Sequence, residues 1–104
     1  MPRMTLSEKQ LRFLRGKAHG LRPVVMLGQK GLTDNVVAET VQALKDHELI
    51  KVRVRATDRA QREAWLAQLV SQSACTLVAR IGHVAVLYRA ASPIPKMVLP
   101  DAQM

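Results

Sequence analysis

The sequence contains one cysteine, three aromatic residues and half as many acidic as basic residues. A single cysteine, Cys75, excludes an internal disulfide and a zinc site built from cysteines, and it fits a reducing compartment. No apolar run reaches the roughly 18 residues that span a bilayer, and the N-terminus lacks the apolar stretch of a signal peptide. These absences predict a cytoplasmic protein with no membrane partner.

The excess of basic residues is the strongest signal in the composition. The 104 residues carry 16 Lys and Arg against eight Asp and Glu, for a formal net charge of +8. Residues 1–31 hold seven basic groups and one acidic group, residues 32–48 one basic and four acidic, and residues 49–104 eight basic and three acidic. Because a field polarised in this way suits a polyanion, we expect the partner to be a nucleic acid.

A length of 104 residues is too short for two cores, so we expect a single domain over residues 1–100, followed by a tail at 101–104. The predicted helices run over about 6–19, from Thr33 to about His47 and from Asp58 to about Ser73; the predicted strands cover 24–27, 49–55, 76–81, 84–89 and a short edge strand at 97–99. This α-β-α-β-α-β-β order is an α/β arrangement of the two-layer α+β kind. Crossover helices join parallel strands, so we expect a mixed four-stranded sheet with the second and third helices on one face.

Three local patterns refine this prediction. Thr5 and Glu8 have the spacing of a capping box for the first helix. The unbroken apolar run at 24–27 predicts a strand buried on both faces, so the first helix is expected to cover part of the remaining face. Glycine in the first position of Gly82-His83 predicts a two-residue hairpin turn.

Charged residues follow the faces of the predicted elements. The basic residues of the first helix and the segment after it are Lys9, Arg12, Arg15, His19 and Arg22. In the second strand, apolar side chains alternate with the basic residues Lys51, Arg53 and Arg55, which predicts one buried face and one solvated, basic face. The acidic residues of the second helix are expected to face outward, away from a nucleic acid, and Asp46 and Glu48 are expected to be solvated.

The loop Gly28-Gln29-Lys30-Gly31 connects the first strand to the second helix. Glycine at both ends allows a tight turn and a close approach by a ligand. The start of a helix presents unpaired amides and a partial positive charge, to which Lys30 adds a full charge. The loop could therefore cradle a phosphate, as the GxxG loop of KH domains does, although four residues alone fit an ordinary strand-to-helix turn equally well.

Other site chemistries find no support in the sequence. Neither the P-loop pattern nor the glycine spacing of a dinucleotide-binding fold is present. The aromatic residues Phe13, Trp65 and Tyr88 are too few for a sheet that stacks nucleobases. The three histidines share no metal-ligand motif, and no nucleophile–base arrangement stands out. We therefore predict a protein that is not an enzyme and uses no cofactor, metal or small-molecule substrate.

Several short motifs occur together in the order and spacing of a known family. They are Leu6-Ser7, Gln10, Ala18-His19, Leu21, Pro23-Val24-Val25, Gly28–Thr33, His47–Val52, Ile81-Gly82 and Val86–Arg89. On these motifs the sequence resembles the CRM domain (chloroplast RNA splicing and ribosome maturation), in its stand-alone bacterial YhbY-type form. The resemblance covers about residues 4–100, and the run His47–Val52 is its most specific part.

The resemblance implies a fold similar to the C-terminal domain of bacterial translation initiation factor 3. It also implies RNA binding through the GxxG loop and the neighbouring basic surface, and association with precursors of the large ribosomal subunit. The sequence departs from the family at His83, where members commonly have lysine, and at Ser73-Ala74, where members often have glycine. We expect a monomeric ribosome assembly factor with ribosomal RNA as its partner. A DNA-binding, nucleoid-type protein and an accessory subunit that binds an acidic protein are the alternatives.

Overall fold

The computed structural model describes residues 6–28, 30–91 and 97–100. The elements are α1 (Glu8–Ala18), β1 (Pro23–Leu27), α2 (Asp34–His47), β2 (Leu49–Val54), α3 (Arg59–Ser73), β3 (Thr76–Ile81) and β4 (Val84–Tyr88). The predicted order and the α+β class are confirmed. Thr5, Gln29 and the predicted tail at 101–104 lie outside the described residues.

The four strands form one mixed sheet in the order β1-β2-β4-β3. β1 and β2 pair in parallel, whereas β4 lies antiparallel between β2 and β3. The β3–β4 turn places Gly82 at a φ of 59°, a conformation that glycine adopts without steric cost. The predicted glycine turn is therefore confirmed. The strand pairing means that β1, β2 and β3 all run in the same direction.

The larger core lies between the sheet and the helices α2 and α3. Ile50, Val52 and Val54 point into it from β2, as their alternation predicted, and meet Leu44 of α2 and Leu69 of α3. All five side chains are 0–2% exposed. A fully buried aliphatic side chain contributes about 1.5–3 kcal/mol, so this layer supplies most of the driving force for folding.

A smaller core on the opposite face holds α1 against the sheet. Leu14 and Ala18 of α1 pack with Val86 and neighbouring side chains of β2, β3 and β4. The prediction that α1 covers part of this face is confirmed, but the prediction that β1 is buried on both faces is wrong. Val24 and Met26 are 52% and 53% exposed, because α1 packs mainly over β2 and β3 and leaves β1 open.

The start of α1 and the conformation of residues 97–100 both differ from the sequence prediction. α1 begins at Glu8 with Ser7 as its N-cap, so the capping box is formed by Ser7 and Gln10 rather than by Thr5 and Glu8. Two hydrogen bonds close this box. The Gln10 backbone N–H donates to the Ser7 hydroxyl at 3.1 Å, and the Ser7 backbone N–H donates to Gln10 Oε1 at 3.0 Å. Residues 97–100 do not form the predicted edge strand. Met97 and Leu99 pack on the α1 core instead.

Glu48 overturns the prediction that the turn before β2 is solvated. Its neighbour Asp46 is exposed, but Glu48 is completely buried, at a backbone φ of 64°. Its two carboxylate oxygens accept the backbone N–H groups of Ala91 and Met97, each at 2.6 Å. Burial, and then the Glu48 charge, raise the pKa of the Tyr88 hydroxyl above its ordinary value. Glu48 thus fastens the segment that follows β4 to the sheet.

Candidate nucleic-acid interface

The loops that follow β1 and β2 meet the β3–β4 turn at one edge of the sheet. The Arg55 N–H donates to the Leu27 carbonyl at 2.8 Å, and the Val54 N–H donates to the His83 carbonyl at 2.7 Å. These bonds hold the three connections side by side. We call this region the carboxyl edge; it consists of residues 28, 30–33, 55–58 and 82–83.

The two glycines of the loop have different roles. Gly31 has a φ of 72°, and a Cβ placed on it would lie 2.8 Å from Cζ2 of Trp65. Its N–H donates to the Gly28 carbonyl at 2.9 Å, which closes the turn. A Cβ on Gly28 would meet no atom within 4 Å. Gly31 is therefore required by the backbone and by packing, whereas Gly28 leaves open space in which a ligand can approach the main chain.

The loop leads directly into α2, so the N-terminus of α2 lies at the carboxyl edge. Thr33 is the N-cap, as predicted, and its side chain accepts from the Val36 N–H at 3.1 Å. A groove open to solvent runs between this helix start and β1, and the polar and apolar groups that line it include Met26, Gly28, Lys30, Asn35, Glu39 and Arg55. The structure thus brings Gly28, Lys30 and Gly31 of the predicted loop together with Arg55 of the strand segment.

Of the described residues that line this groove, Glu39 alone is acidic. Among the described residues, no ion pair joins it to Lys30 or Arg55. The prediction that the acidic residues of α2 all face away from the basic loop therefore does not hold for Glu39. Asp46, near the other end of the helix, lies at the opposite edge of the sheet.

Lys51 and Arg53 lie on the sheet face that α1 leaves partly open. Both are half-buried. Arg53 is the cross-strand neighbour of Met26 on β1 and of Val84 on β4. Because Met26 also lines the loop groove, Arg53 adjoins that groove from the open face of the sheet.

The predicted basic residues of the N-terminal part are dispersed. Arg12 is exposed on α1, His19 is exposed at its C-cap, and Arg15 is paired with Glu8 at 3.1 Å. Arg22 lines a different groove with Lys17, at the start of β1. The structure therefore does not bring Arg22 to the loop, and the charge of Arg15 is partly neutralised by Glu8.

The sequence did not reveal a group of basic residues that adjoins the other end of the carboxyl edge, at the β3–β4 turn. These are Arg59 and Arg62 of α3, Arg80 of β3 and His83 of the turn, which line a second groove. Arg62 Nη1 donates to His83 Nδ1 at 3.3 Å, and Arg80 forms an ion pair with Glu63. No periodicity connects these positions, since they come from three elements that meet only in the folded chain.

Residues 6–89 match the CRS1/YhbY (CRM) domain. The chain belongs to this family. It is 51% identical over 85 residues to a Haemophilus influenzae protein named RNA-binding protein, a match that covers 82% of this chain and 86% of that protein. It is 38% identical over 95 residues to YqeI of Bacillus subtilis, named a probable RNA-binding protein, with 91% and 99% covered.

A solved structure shows the same fold. The solution structure of a hypothetical Staphylococcus aureus protein, described as an RNA-binding candidate, matches with a TM-score of 0.77 at 30% identity, covering 92% of this chain and all of that one. Within residues 6–28, 30–91 and 97–100, no group of three His, Cys, Asp or Glu side chains is placed to hold a metal ion. No helix in the described ranges has the length and apolarity to cross a bilayer.

Proposed function

We propose that this protein binds RNA through its carboxyl edge and acts as an assembly factor on precursors of the large ribosomal subunit. One observation carries the proposal: Lys30, Arg55 and the first turn of α2 converge on a single open groove. The chain belongs to the CRM family, and relatives that align over most of its length are named as RNA-binding proteins. The resemblance to the stand-alone bacterial members supports the ribosomal precursor as the target.

The loop would hold the RNA by its backbone. The open space over Gly28 lets a phosphate approach the main chain, and the Lys30 ammonium neutralises its charge. Arg55 and Arg53 would contact neighbouring phosphates, and a guanidinium can bind a phosphate through two parallel hydrogen bonds. Recognition of this kind depends on phosphate spacing and RNA shape more than on base sequence.

The loop contact is tested by Lys30→Ala in salt-titrated binding to a fluorescent single-stranded RNA of about 16 nucleotides. One lost phosphate contact lowers the slope of log affinity against log salt by about 0.7, which is about a fivefold loss of affinity at about 0.1 M salt. The melting temperature should stay at the parental value, since Lys30 is exposed. Lys45→Ala is the charge-matched control on the last turn of α2, at the opposite edge. Equal slopes for Lys30→Ala and the parent would refute the loop contact.

The identity of the RNA requires a second experiment. Crosslinking in cells, followed by sequencing of the bound RNA, should recover precursor RNA of the large ribosomal subunit. Equal affinity for duplex DNA and ribosomal RNA at matched salt would favour the DNA-binding alternative. We further propose that the protein works in the cytoplasm as a monomer; a dimer in sedimentation at micromolar concentration would contradict the latter point.

A further inference from the structure

The second groove of the carboxyl edge concentrates guanidinium groups around a short hairpin turn. Arg59, Arg62 and Arg80 line it, while Glu63 is the acidic side chain among them. Glu63 is already paired with Arg80. In the described part of the chain, no hydrogen bond or ion pair engages the Arg59 side chain, so two positive charges stay uncompensated in this groove.

A purely structural role accounts for only part of this arrangement. The Arg80–Glu63 pair ties β3 to α3, and Arg62 reaches the turn through His83. Exposed ion pairs contribute about 0–1 kcal/mol, and placing three arginines side by side adds repulsion that one carboxylate does not remove. Arg59 joins neither contact, yet it lines the same groove. An anionic ligand would relieve this repulsion and use the free hydrogen-bond donors.

The second groove and the loop groove approach each other at the end of β2. Val54 lines the second groove and Arg55, the next residue, lines the loop groove. β2 lies between β1 and β4, so the loop and the β3–β4 turn are two strand spacings apart, or about 10 Å. A stacked strand rises about 3.4 Å per nucleotide, so about four consecutive phosphates would reach from one groove to the other.

We propose that the groove formed by Arg59, Arg62, Arg80 and His83 is a second binding site for RNA phosphate. The strand held at the Gly28–Gly31 loop continues past Arg55 to the β3–β4 turn, where Arg59 and Arg62 each contact one of two neighbouring phosphates at the far end. Arg80 stays bound to Glu63 and fixes the wall of the groove. This inference rests on the proposed function and extends the RNA path along the whole carboxyl edge.

The experiment measures the salt dependence of binding for Arg59→Ala, Arg62→Gln and the double variant, with the same RNA of about 16 nucleotides. Each single change should lower the slope of log affinity against log salt by about 0.7 and weaken binding about fivefold at about 0.1 M salt. The double variant should lower the slope by about 1.4 and weaken binding about 25-fold. Lys45→Ala removes one positive charge far from the edge and should keep the parental slope.

Lys30→Ala, measured alongside, separates this inference from the proposed function. If Lys30→Ala lowers the slope while the arginine variants keep it, the second site is wrong and the loop contact stands. Failure of the parent to bind RNA would overturn both. Thermal melts detect a structural role: if Arg62→Gln loses stability through its contact with His83, Arg59→Ala decides the question, because Arg59 is exposed and makes no such contact. A parental slope for Arg59→Ala refutes the second site.

Discussion

Replacement of Glu48 tests whether one buried carboxylate fastens the segment after β4 to the sheet. Its oxygens accept from the Ala91 and Met97 N–H groups at 2.6 Å. A hydrogen bond to a charged acceptor contributes about 1.5–3 kcal/mol, so the two together contribute about 3–6 kcal/mol before the cost of burying the charge. Because Glu48→Ala also leaves two donors unsatisfied, we expect it to lower the free energy of unfolding by about 2–4 kcal/mol.

Two further substitutions separate the carboxylate from the backbone conformation. Glutamine preserves the shape of Glu48 but points an NH₂ donor at one of the two N–H donors, so Glu48→Gln should destabilise nearly as much as Glu48→Ala. Glycine also loses both hydrogen bonds, but it relieves a φ of 64° that costs other residues about 1–2 kcal/mol. Glu48→Gly should therefore be about 1 kcal/mol more stable than Glu48→Ala.

Urea unfolding at neutral pH, followed by the fluorescence of Trp65, gives these free energies. The free energy of unfolding of a small domain is about 5–15 kcal/mol, so the variants should remain folded in buffer. Asp46→Asn, at an exposed carboxylate two residues away, is the matched control and should stay within about 0.5 kcal/mol of the parent. A parental unfolding midpoint for both Glu48→Ala and Glu48→Gln would refute the fastening role.

Three other substitutions follow from the same geometry. Gly31→Ala forces a Cβ to within 2.8 Å of Trp65 at a φ of 72°, so it should lower the unfolding free energy in urea by about 2–4 kcal/mol; parental stability would contradict the packing. Ala74→Gly, at a φ of 51° where family members often have glycine, should raise the melting temperature by about 4 °C, and a lower one would count against the strain. Glu39→Gln should strengthen RNA binding about two- to threefold at low salt by removing repulsion beside the loop, while Asp46→Asn leaves affinity unchanged; equal effects would mean that Glu39 acts only through net charge.

The elements could be predicted because their signals are local. The alternation in β2 and the cap at Thr33 each depend on residues close together in the sequence, and both are present in the structure. The faces of β1 could not be predicted in this way. Val24 and Met26 are as apolar as the buried residues that alternate with them, Val25 and Leu27, and their exposure is decided by the position of α1 on the sheet. That position depends on contacts with β2 and β3, far away in sequence.

Glu48 shows the same limit for a charged residue. Acidic residues at turns are usually solvated, and nothing in the neighbouring residues distinguishes Glu48 from Asp46. Its burial depends on backbone donors that lie 43 and 49 residues further along the chain. The one signal in the sequence was its place within His47–Val52, the most specific run of the family resemblance. A motif can therefore mark a residue as special before any physical reason is visible.

The candidate site was predictable to the extent that it is contiguous. The Gly28–Gly31 loop is four consecutive residues, so its spacing alone suggested a phosphate cradle. The parallel pairing of β1 and β2 then implies that Arg55 joins the loop, since the ends of neighbouring parallel strands share an edge. The basic residues at the β3–β4 turn join this edge only because β4 lies next to β2. Periodicity does not give that strand order, so the full basic edge emerges only from the fold.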